Sequence, residues 1–467
     1  MLKIFNTLTK TKEQLKPINN GIIKLYVCGA TVYDLCHLGH ARTFVIFDTV
    51  VRYLRYCGYQ IQYIRNITDI DDKIIQKANK NNESIEHLTK RMIKAMHIDL
   101  DALNILRPDY EPKVTNNINT IIKFIALLIE KKHAYISLNG DVFFSVKTDF
   151  NYGILSKRQI RKKSDKNDIN YSNYRKQSIE DFVLWKSFKT GEPYWIAPWG
   201  KGRPGWHIEC SAMSYSIFGN HFDIHGGGSD LIFPHHDNEL AQSSCAYNSP
   251  YANIWMHTGM LSINDEKMSK SLENSISIRD ILKQYHSEII RYFLLSAHYR
   301  SFLKYSDKNL KNARVSLTHL YMALKDFDIF NRPHSGEYFI SKFIEKMNDD
   351  FNTPEAYAVL FEMAHELNIL KTKHYFRAQG IAATLKYLSN ILGILHQNPE
   401  TYLKYDMSRN HEKNFDFDKV QKLIQIRENA RKNNQWEFAD EIRKELTAMK
   451  IILEDNSSGK TYWRFKF

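Results

Sequence analysis

The sequence predicts an α/β protein whose parallel sheet comes first in the chain and whose helices follow it. An apolar run, Ile22–Val27, precedes a polar turn and an amphipathic stretch over residues 42–56, the pattern of a strand, a turn and a helix. A strand-like run over residues 61–67 and a helix start over residues 69–78 repeat this pattern, as at the opening of a parallel sheet. Helical apolar spacing beyond residue 306 predicts a helical bundle.

Length and composition bound the class of protein. A chain of 467 residues is too long for one core, so three or four folding units are expected. No run approaches the roughly 18–20 apolar residues of a membrane span, and the N-terminus lacks a signal-peptide core, so we expect a cytoplasmic protein without membrane contact. The net charge of +13 fits a polyanionic partner such as RNA, but it carries little weight alone because Lys, Asn and Ile are abundant throughout.

The turn after the first strand carries two histidines, His37 and His40, three positions apart. A helix start presents unpaired N–H groups and the positive end of the helix dipole to an anion, and Gly39 permits close approach of a nucleotide. Both imidazoles lie on one helical turn and can donate to a phosphate whose charge rises during attack. The turn therefore predicts a phosphate site, although for an isolated pattern of this kind the default interpretation is one core histidine and one solvated histidine.

A second signature is the segment 266–272, in which Lys267 and Lys270 bracket a Met-Ser pair. On a mobile loop, these lysines can supply point charges to a pyrophosphate leaving group. Such a loop taken alone is usually a solvated turn. In this order and spacing, however, the two signatures resemble the HIGH and KMSKS motifs of class I aminoacyl-tRNA synthetases.

The five cysteines form no Cys-x-x-Cys pair and no disulfide spacing, which in a cytosolic chain makes them free thiols or metal ligands. Cys28 ends the first strand, whereas Cys210, His235 and Glu239 lie far downstream. His235 and Glu239 share a face if a helix begins after Pro234. Two thiolates, an imidazole and a carboxylate suit zinc, but nothing in the sequence joins Cys28 to the others, and inert buried cysteines are the alternative.

Several segments resemble cysteinyl-tRNA synthetases nearly word for word, and matching motifs run from residue 2 to the C-terminus. This resemblance implies one zinc per chain, held by Cys28, Cys210, His235 and Glu239, with the substrate sulfur as an additional ligand. It further implies amino acid contacts at Thr68, Trp206 and Asp230, with Trp206 closing the pocket, and ATP contacts at Gly39, Gly226, Gly227, Gly228 and Lys270. The segments that carry the resemblance are 26–40, 66–73, 198–210, 226–230 and 266–272.

Zinc chemistry explains why such an enzyme would need these ligands. Cysteine must be chosen over serine, and a pocket that measures size alone gains only about 1–3 kcal/mol from so small a difference. A coordinated thiol is deprotonated outright, whereas a serine hydroxyl is a far poorer ligand for a cysteine-rich site. One zinc could therefore provide selectivity without an editing domain.

The predicted organisation is a Rossmann-like parallel-sheet catalytic domain with a connective insertion, then a helical bundle and a small C-terminal anticodon-binding domain. Helical spacing covers residues 281–299 and 307–327 as well as later segments. For the basic run over 157–166, a solvated loop and an RNA-facing role carry about equal weight. The predicted boundaries are 1–112 (catalytic, first half), 113–200 (insertion), 201–260 (catalytic, second half with the zinc ligands), 261–305 (KMSKS loop and stem-contact region), 306–408 (bundle) and 409–467 (anticodon-binding domain).

Five residues near the C-terminus match positions that contact the anticodon in the family: Arg431, Trp436, Asp440, Arg443 and Asp455. Planar Arg and Trp side chains can stack on splayed bases, and Asp accepts from base amino groups. The alternative is that Trp436 packs between two helices and that Asp440 and Arg443 form a surface pair.

Two positions depart from the family, which usually has glycine at both. Glu273 puts a carboxylate near the pyrophosphate path, after the KMSKS-like loop. Lys450 replaces a helix-ending glycine, which leaves the position of the turn there open.

Together these features predict ATP-dependent ligation of L-cysteine to tRNA(Cys) through cysteinyl-adenylate by a monomer, with Mg²⁺ accompanying the ATP. His37 and His40 are predicted to stabilise the first transition state, while Lys267 and Lys270 hold the departing phosphates. A ligase that joins activated cysteine to a small amine would keep these motifs, but the intact C-terminal segment argues against it. The preserved motif residues argue against a non-catalytic RNA-binding paralogue.

Overall fold

The computed structural model describes residues 1–158, 176–263, 266–267, 275–325, 327, 333–408, 417–449, 451–455 and 461–465. Its strands are β1 (Lys3–Asn6), β2 (Thr11–Gln14), β3 (Ile22–Val27), β4 (Gln60–Arg65), β5 (Ala134–Ile136), β6 (Val142–Phe144), β7 (Phe182–Ser187), β8 (Trp195–Ala197), β9 (Gly200–Pro204), β10 (His221–Gly228), β11 (Tyr251–Thr258), β12 (Leu261–Ile263), β13 (Glu266–Lys267), β14 (Leu303–Tyr305), β15 (Ile451–Asp455) and β16 (Thr461–Phe465).

The helices range from five residues in α7 to 19 residues in α1. They are α1 (Leu38–Tyr56), α2 (Asp72–Asn81), α3 (Ile85–Ala102), α4 (Ile118–Glu130), α5 (Trp206–Phe218), α6 (Asp237–Tyr247), α7 (Ile278–Leu282), α8 (Ser287–Leu295), α9 (Asp307–Leu324), α10 (Glu337–Asn348), α11 (Thr353–Leu370), α12 (Tyr375–Ile391), α13 (Pro399–Ser408), α14 (Phe417–Lys432) and α15 (Trp436–Ala448). In the part of the chain described, no helix is long and apolar enough to cross a membrane.

A four-stranded parallel sheet in the order β11-β10-β3-β4 forms the centre of the first half of the chain. Its strands are rich in buried apolar residues because both faces are covered, and α1 packs on it through side chains such as Phe47. Since β3 and β10 are neighbours, the chain reaches the same edge of the sheet twice, once after Val27 and once after Gly228. The predicted α/β fold is confirmed.

The segment between the two halves of the parallel sheet forms a separate antiparallel sheet, in the order β5-β6-β7-β9-β8. Its apolar face packs with α4, α5 and α6 in a second core that contains Trp185. The last strand, β9, runs directly into α5, so this sheet sets where α5 begins.

Two helix boundaries differ from the predicted ones because local side chains cap the helices. Residues 281–299 do not form one helix: α7 ends at Leu282, and α8 starts after His286, whose side chain accepts from the N–H of Glu288 at 3.2 Å. The helix predicted to start at residue 69 starts at Asp72, because Asp71 is its cap. Asp69 instead accepts from the N–H of Thr115 at 3.0 Å.

The later helices form a bundle that is joined to the α/β part of the chain by a buried arginine. Arg291 on α8 donates from Nε to the Leu392 carbonyl at 2.7 Å and from Nη1 to the Leu103 carbonyl at 3.1 Å. Its Nη2 donates to Asp48 on α1. This guanidinium therefore connects α1, the loop after α3 and the end of α12.

A buried carboxylate makes the second connection between these parts. Asp350, between α10 and α11, accepts from Tyr299 Oη at 2.7 Å, from Arg300 Nε at 2.8 Å and from the N–H of Phe5 at 2.8 Å. We call the two centres, Arg291 and Asp350 with these partners, the domain joint.

Candidate active site and metal cluster

The turn between β3 and α1 brings His37 and His40 into contact. His37 caps α1: its Nδ1 accepts from the N–H of Gly39 at 3.1 Å, and its own N–H donates to His40 Nδ1 at 3.3 Å. The ring centroids are 3.9 Å apart. A Cβ on Gly39 would lie 2.8 Å from the His37 ring, so glycine is needed for this packing. The arrangement leaves two imidazoles together at a helix N-terminus, where anions bind favourably.

The segment after the KMSKS-like loop is attached to this same turn. The N–H of Leu38 donates to the Ile276 carbonyl and the N–H of Ile278 donates to the Cys36 carbonyl, both at 3.0 Å. The backbone of Lys267 pairs with Ser262 in the β12–β13 ladder. Lys270 and the departure at Glu273 lie outside the described residues, as does Lys450.

The four residues predicted to hold zinc come together in a buried cluster, although Cys28 is 182 residues from Cys210. The Cys28 and Cys210 Sγ atoms are 3.6 Å apart, Cys28 Sγ is 3.3 Å from Glu239 Oε1, and His235 Nε2 is 2.9 Å from the same oxygen. Cys28 follows β3, Cys210 lies on α5, His235 lies in the turn Ile232–His236 and Glu239 lies on α6. We call these four residues the metal cluster.

The spacing of these atoms fits a tetrahedral ion. Two sulfurs about 2.3 Å from one zinc stand about 3.8 Å apart, and mixed sulfur, nitrogen and oxygen pairs stand about 3.3–3.6 Å apart. The three distances given above agree with these values to within about half an ångström, and one ligand atom from each residue lies within 4.8 Å of the others. The donor set of two thiolates, one imidazole and one carboxylate is one that zinc prefers.

The electrostatics also favour a cation. Burial acts to raise the pKa of Cys210, but hydrogen bonds with Cys28 and His235 outweigh it and bring that pKa to about 6. Burial likewise opposes ionisation of Glu239, yet contacts with His225 and His235 hold its pKa well below the usual range. The metal cluster is therefore predisposed to present a thiolate and a carboxylate at neutral pH.

Further histidines surround the metal cluster, and sequence reasoning gave them no role. His225 Nε2 lies 3.2 Å from Glu239 Oε2, and His236 Nε2 lies 3.3 Å from Cys28 Sγ. Both side chains are fully buried. Together with Cys28 and Glu239 they form an overlapping set of donor atoms. The sequence signal for them is weak: His225 lies within the buried strand β10, and His236 directly follows the predicted ligand His235.

Of the three predicted amino acid contacts, Trp206 is the one that touches a residue of the metal cluster in the contacts described. The Trp206 ring stacks on His235 with centroids 4.4 Å apart and is 39% exposed, so it lies between the metal cluster and solvent. Thr68 is buried and donates from Oγ1 to Glu209 Oε2 at 3.0 Å. Asp230 is exposed, just beyond the end of β10.

The triple glycine at the end of β10 has packing roles beyond any contact with ATP. A Cβ at Gly226 would lie 2.3 Å from the Phe47 ring, and one at Gly227 would lie 2.9 Å from the His236 ring. At Gly228 a Cβ would lie 2.5 Å from Asp230 Oδ1. These glycines therefore let α1 approach the sheet closely from one side and His236 from the other.

The predicted anticodon residues lie on and around the α14–α15 helix pair. Trp436 at the start of α15 is 58% exposed, so it does not pack between the two helices. Asp440 and Arg443 are also exposed, whereas Arg431 at the end of α14 is half-buried. Asp455 ends β15, and its side chain is outside the described residues.

Little of the basic run over residues 157–166 falls within the described residues. Lys157 donates from Nζ to the Leu8 carbonyl at 3.0 Å, and the Arg158 guanidinium lies 3.8 Å from the centroid of the Phe233 ring. The rest of the run, from residue 159 onward, is outside the described residues.

The fold and the paired phosphate signatures define a class I tRNA synthetase catalytic domain. The family model for tRNA synthetase class I (C) catalytic domains matches residues 14–315. A DALR domain matches residues 342–396, and the anticodon-binding domain of cysteinyl-tRNA ligases matches residues 418–464. The chain belongs to the cysteine–tRNA ligase family.

Full-length relatives agree with this assignment. The chain is 66% identical to the cysteine–tRNA ligase of Blochmanniella pennsylvanica over 475 residues, which cover 100% of both proteins. It is 54% identical to the Proteus mirabilis cysteine–tRNA ligase over 464 residues, which cover 99% of both.

Solved structures of other synthetases share the fold at low sequence identity. A Mycobacterium tuberculosis methionyl-tRNA synthetase in complex with methionyl-adenylate aligns with a TM-score of 0.55 and 15% identity, covering 79% of this chain and 89% of that one. The ternary complex of an Agrobacterium radiobacter LeuRS with tRNA and LeuAMS aligns with a TM-score of 0.57 and 11% identity, covering 86% of both chains.

Proposed function

We propose that this chain ligates L-cysteine to tRNA(Cys) at the expense of ATP, through cysteinyl-adenylate. The observation that carries the proposal is the buried metal cluster, whose Cys28 follows the same strand, β3, as the His37–His40 turn, in a chain whose C-terminal segment matches a cysteinyl-tRNA ligase anticodon-binding domain. A thiol-binding site next to a nucleotide phosphate site is what activation of cysteine requires.

Cys28, Cys210, His235 and Glu239 would hold one zinc. When bound, this ion supplies a Lewis acid that takes the substrate thiolate as a further ligand and so separates cysteine from serine. Trp206 covers His235 and would close the pocket over the substrate. Burial of the metal cluster keeps water away from the thiolates.

Around this pocket, Thr68 and Asp230 would orient the amino acid. Asp230 is exposed at the end of β10, where its carboxylate can meet the substrate ammonium. Thr68 is fixed by its hydrogen bond to Glu209, whose pKa is raised by burial. With the carboxylate of cysteine held toward the α1 turn, attack on the α-phosphate becomes a matter of positioning.

The phosphate chemistry would be served by His37 and His40 at the start of α1 and by Lys267 and Lys270 on the loop. The imidazoles donate to the α-phosphate as charge develops, and the lysines hold the departing pyrophosphate with Mg²⁺. Gly39 and the glycines at 226–228 would let the nucleotide approach the backbone closely.

The C-terminal segment would select the tRNA. Trp436 and Arg431 would stack on splayed anticodon bases, while Asp440, Arg443 and Asp455 provide polar contacts to base edges and backbone. The terminal ribose hydroxyl of tRNA(Cys) then accepts the cysteinyl group. We infer that the protein works as a cytoplasmic monomer with the predicted division into domains.

The decisive experiment is ATP–pyrophosphate exchange with each of the twenty amino acids, using zinc-loaded protein. Exchange should occur with cysteine and fall by at least about 10³-fold with serine, beyond the 10- to 200-fold that a size-based pocket gives. Charging of tRNA(Cys) should follow. Exchange with another amino acid, or with none, would contradict the proposal. Exchange with cysteine but transfer only to small amines would favour a cysteine ligase with a different acceptor.

A further inference from the structure

A line of hydrogen bonds runs from the metal cluster to the N-terminal hairpin. Cys28 Sγ lies 3.3 Å from His236 Nε2, His236 Nδ1 lies 2.7 Å from His257 Nε2, and His257 Nδ1 lies 2.7 Å from Thr7 Oγ1. Each imidazole thus uses one nitrogen toward the cysteine and the other away from it. We call Thr7, His257 and His236 the Thr7 relay.

The geometry of the Thr7 relay is fixed by its surroundings. Thr7 is held against β11 by its N–H, which donates to the Trp255 carbonyl at 2.9 Å, and His257 lies on the same strand two residues further on. His236 fits because Gly227 has no side chain: a Cβ there would lie 2.9 Å from the imidazole. Thr7, His257 and His236 are all buried.

The donor and acceptor roles along the Thr7 relay are interdependent. Two ring nitrogens 2.7 Å apart that share one hydrogen must act as one donor and one acceptor. If Thr7 donates to His257 Nδ1, then His257 Nε2–H donates to His236 Nδ1, and His236 Nε2–H faces the sulfur of Cys28. In the opposite direction, His236 would turn a lone pair toward that sulfur.

We propose that Thr7 is a positioning residue for the metal cluster: its hydroxyl fixes the tautomers of His257 and His236 so that an N–H supports Cys28 as a thiolate ligand. The proposal rests on the metal site of the proposed function and extends it to a residue more than 20 positions before the first ligand. Hydrogen bonds to ligand atoms orient metal ligands and tune their basicity.

The test compares Thr7→Val, which removes the hydroxyl and keeps the branched shape, with Thr7→Ser, which keeps the hydroxyl. Thr11→Val in β2 is the matched control, because Thr11 is an exposed threonine of the same hairpin. Each full-length protein is stripped of metal and titrated with Co²⁺ and then with Zn²⁺ against a chromophoric chelator. The sulfur-to-cobalt charge-transfer band is recorded together with the affinities.

Thr7→Val should bind both ions roughly 10- to 100-fold more weakly than wild type. Its charge-transfer band should shift to lower energy, because the sulfur loses an N–H donor. Thr7→Ser and Thr11→Val should match wild type in both measurements. Unaltered affinity and spectrum in Thr7→Val would overturn the proposal, as would an equal loss in Thr11→Val.

A double-variant cycle tests the route. In a His257→Phe background, Thr7→Val should add less than about a threefold loss, since the hydroxyl acts through that imidazole. A full additional loss would mean that Thr7 does not act through His257, and would overturn the Thr7 relay. Wild-type protein that binds neither ion would instead refute the metal site itself, so the two failures are distinct.

Discussion

The metal cluster and the α14–α15 surface hold functional side chains in opposite environments. Cys28, Cys210 and Glu239 are buried and already hydrogen-bonded to one another, whereas Trp436 and Asp440 are exposed to solvent. A buried set of charges must be satisfied as the chain folds, because an unpaired charge inside costs several kcal/mol. An exposed set can remain solvated until RNA arrives. Changes in the first region should therefore affect structure and chemistry together, and changes in the second should affect recognition alone.

The largest effect should follow Cys210→Ser. Structural zinc sites contribute about 10–16 kcal/mol, so one ligand in four is worth about 2.5–4 kcal/mol, or roughly 10²- to 10³-fold in affinity. Zinc content, measured by elemental analysis after dialysis, should fall well below one per chain, and exchange with cysteine should fall with it. Cys57→Ser, at an exposed cysteine, is the control and should retain its zinc. Unchanged metal content in Cys210→Ser would remove Cys210 from the metal cluster.

His40→Ala and Lys270→Ala should separate phosphate chemistry from metal binding. Each removes a donor to developing charge, so adenylate formation should drop by roughly 10²-fold or more, while zinc content and cysteine binding persist. His365→Ala, at an exposed histidine of α11, should behave as wild type. A wild-type exchange rate in either motif variant would end the assigned role of that residue.

Asp440→Ala should weaken tRNA charging without affecting amino acid activation. Lost contacts to an unstacked base are worth about 1–3 kcal/mol, so kcat/KM for charging should fall roughly 5- to 150-fold while tRNA-independent exchange stays intact. The measurement compares wild-type tRNA with an anticodon-substituted tRNA. If the anticodon substitution lowers kcat/KM by the same factor in wild-type enzyme and in Asp440→Ala, Asp440 does not read the anticodon.

The smallest effect is expected on the stability of Trp436→Ala. Because this side chain is 58% exposed, its removal should change the free energy of unfolding by less than about 0.5 kcal/mol. Charging should still weaken, since the stacking surface is lost. Melting curves recorded beside charging assays decide the matter: a large drop in Tm would show that Trp436 supports the helix pair instead.

Local patterns in the sequence predicted the start of the site. The apolar run Ile22–Val27 is β3, and the turn after it does begin α1 with His37 as its cap. His235 and Glu239 meet at 2.9 Å as their spacing of four suggested. These features depend on neighbours within a few residues, and such features are what periodicity and capping rules describe.

Periodicity and capping rules do not predict contacts between residues that are far apart in the sequence. Cys28 follows β3 and meets Cys210 because α5 packs against β10, the neighbour of β3 in the sheet. The periodicity of a strand does not predict which strand lies next to it. His257 was overlooked for the same reason: parallel pairing places it opposite Gly227, which makes room for His236. The family resemblance identified the four metal ligands. The Thr7 relay can be found only from the way β10 and β11 pair in the structure.

The domain joint limits how this chain can be divided. A fragment that ended after β14 would keep Arg291, Tyr299 and Arg300 but lose the Leu392 carbonyl and the Asp350 carboxylate that satisfy them. Leaving a buried donor without its acceptor costs about 1–3 kcal/mol, a sizeable share of the stability of a typical domain. The helical bundle therefore cannot simply be exchanged for that of another synthetase. A chimera that grafts a bundle from another synthetase onto this catalytic half would need to replace both acceptors before it could fold.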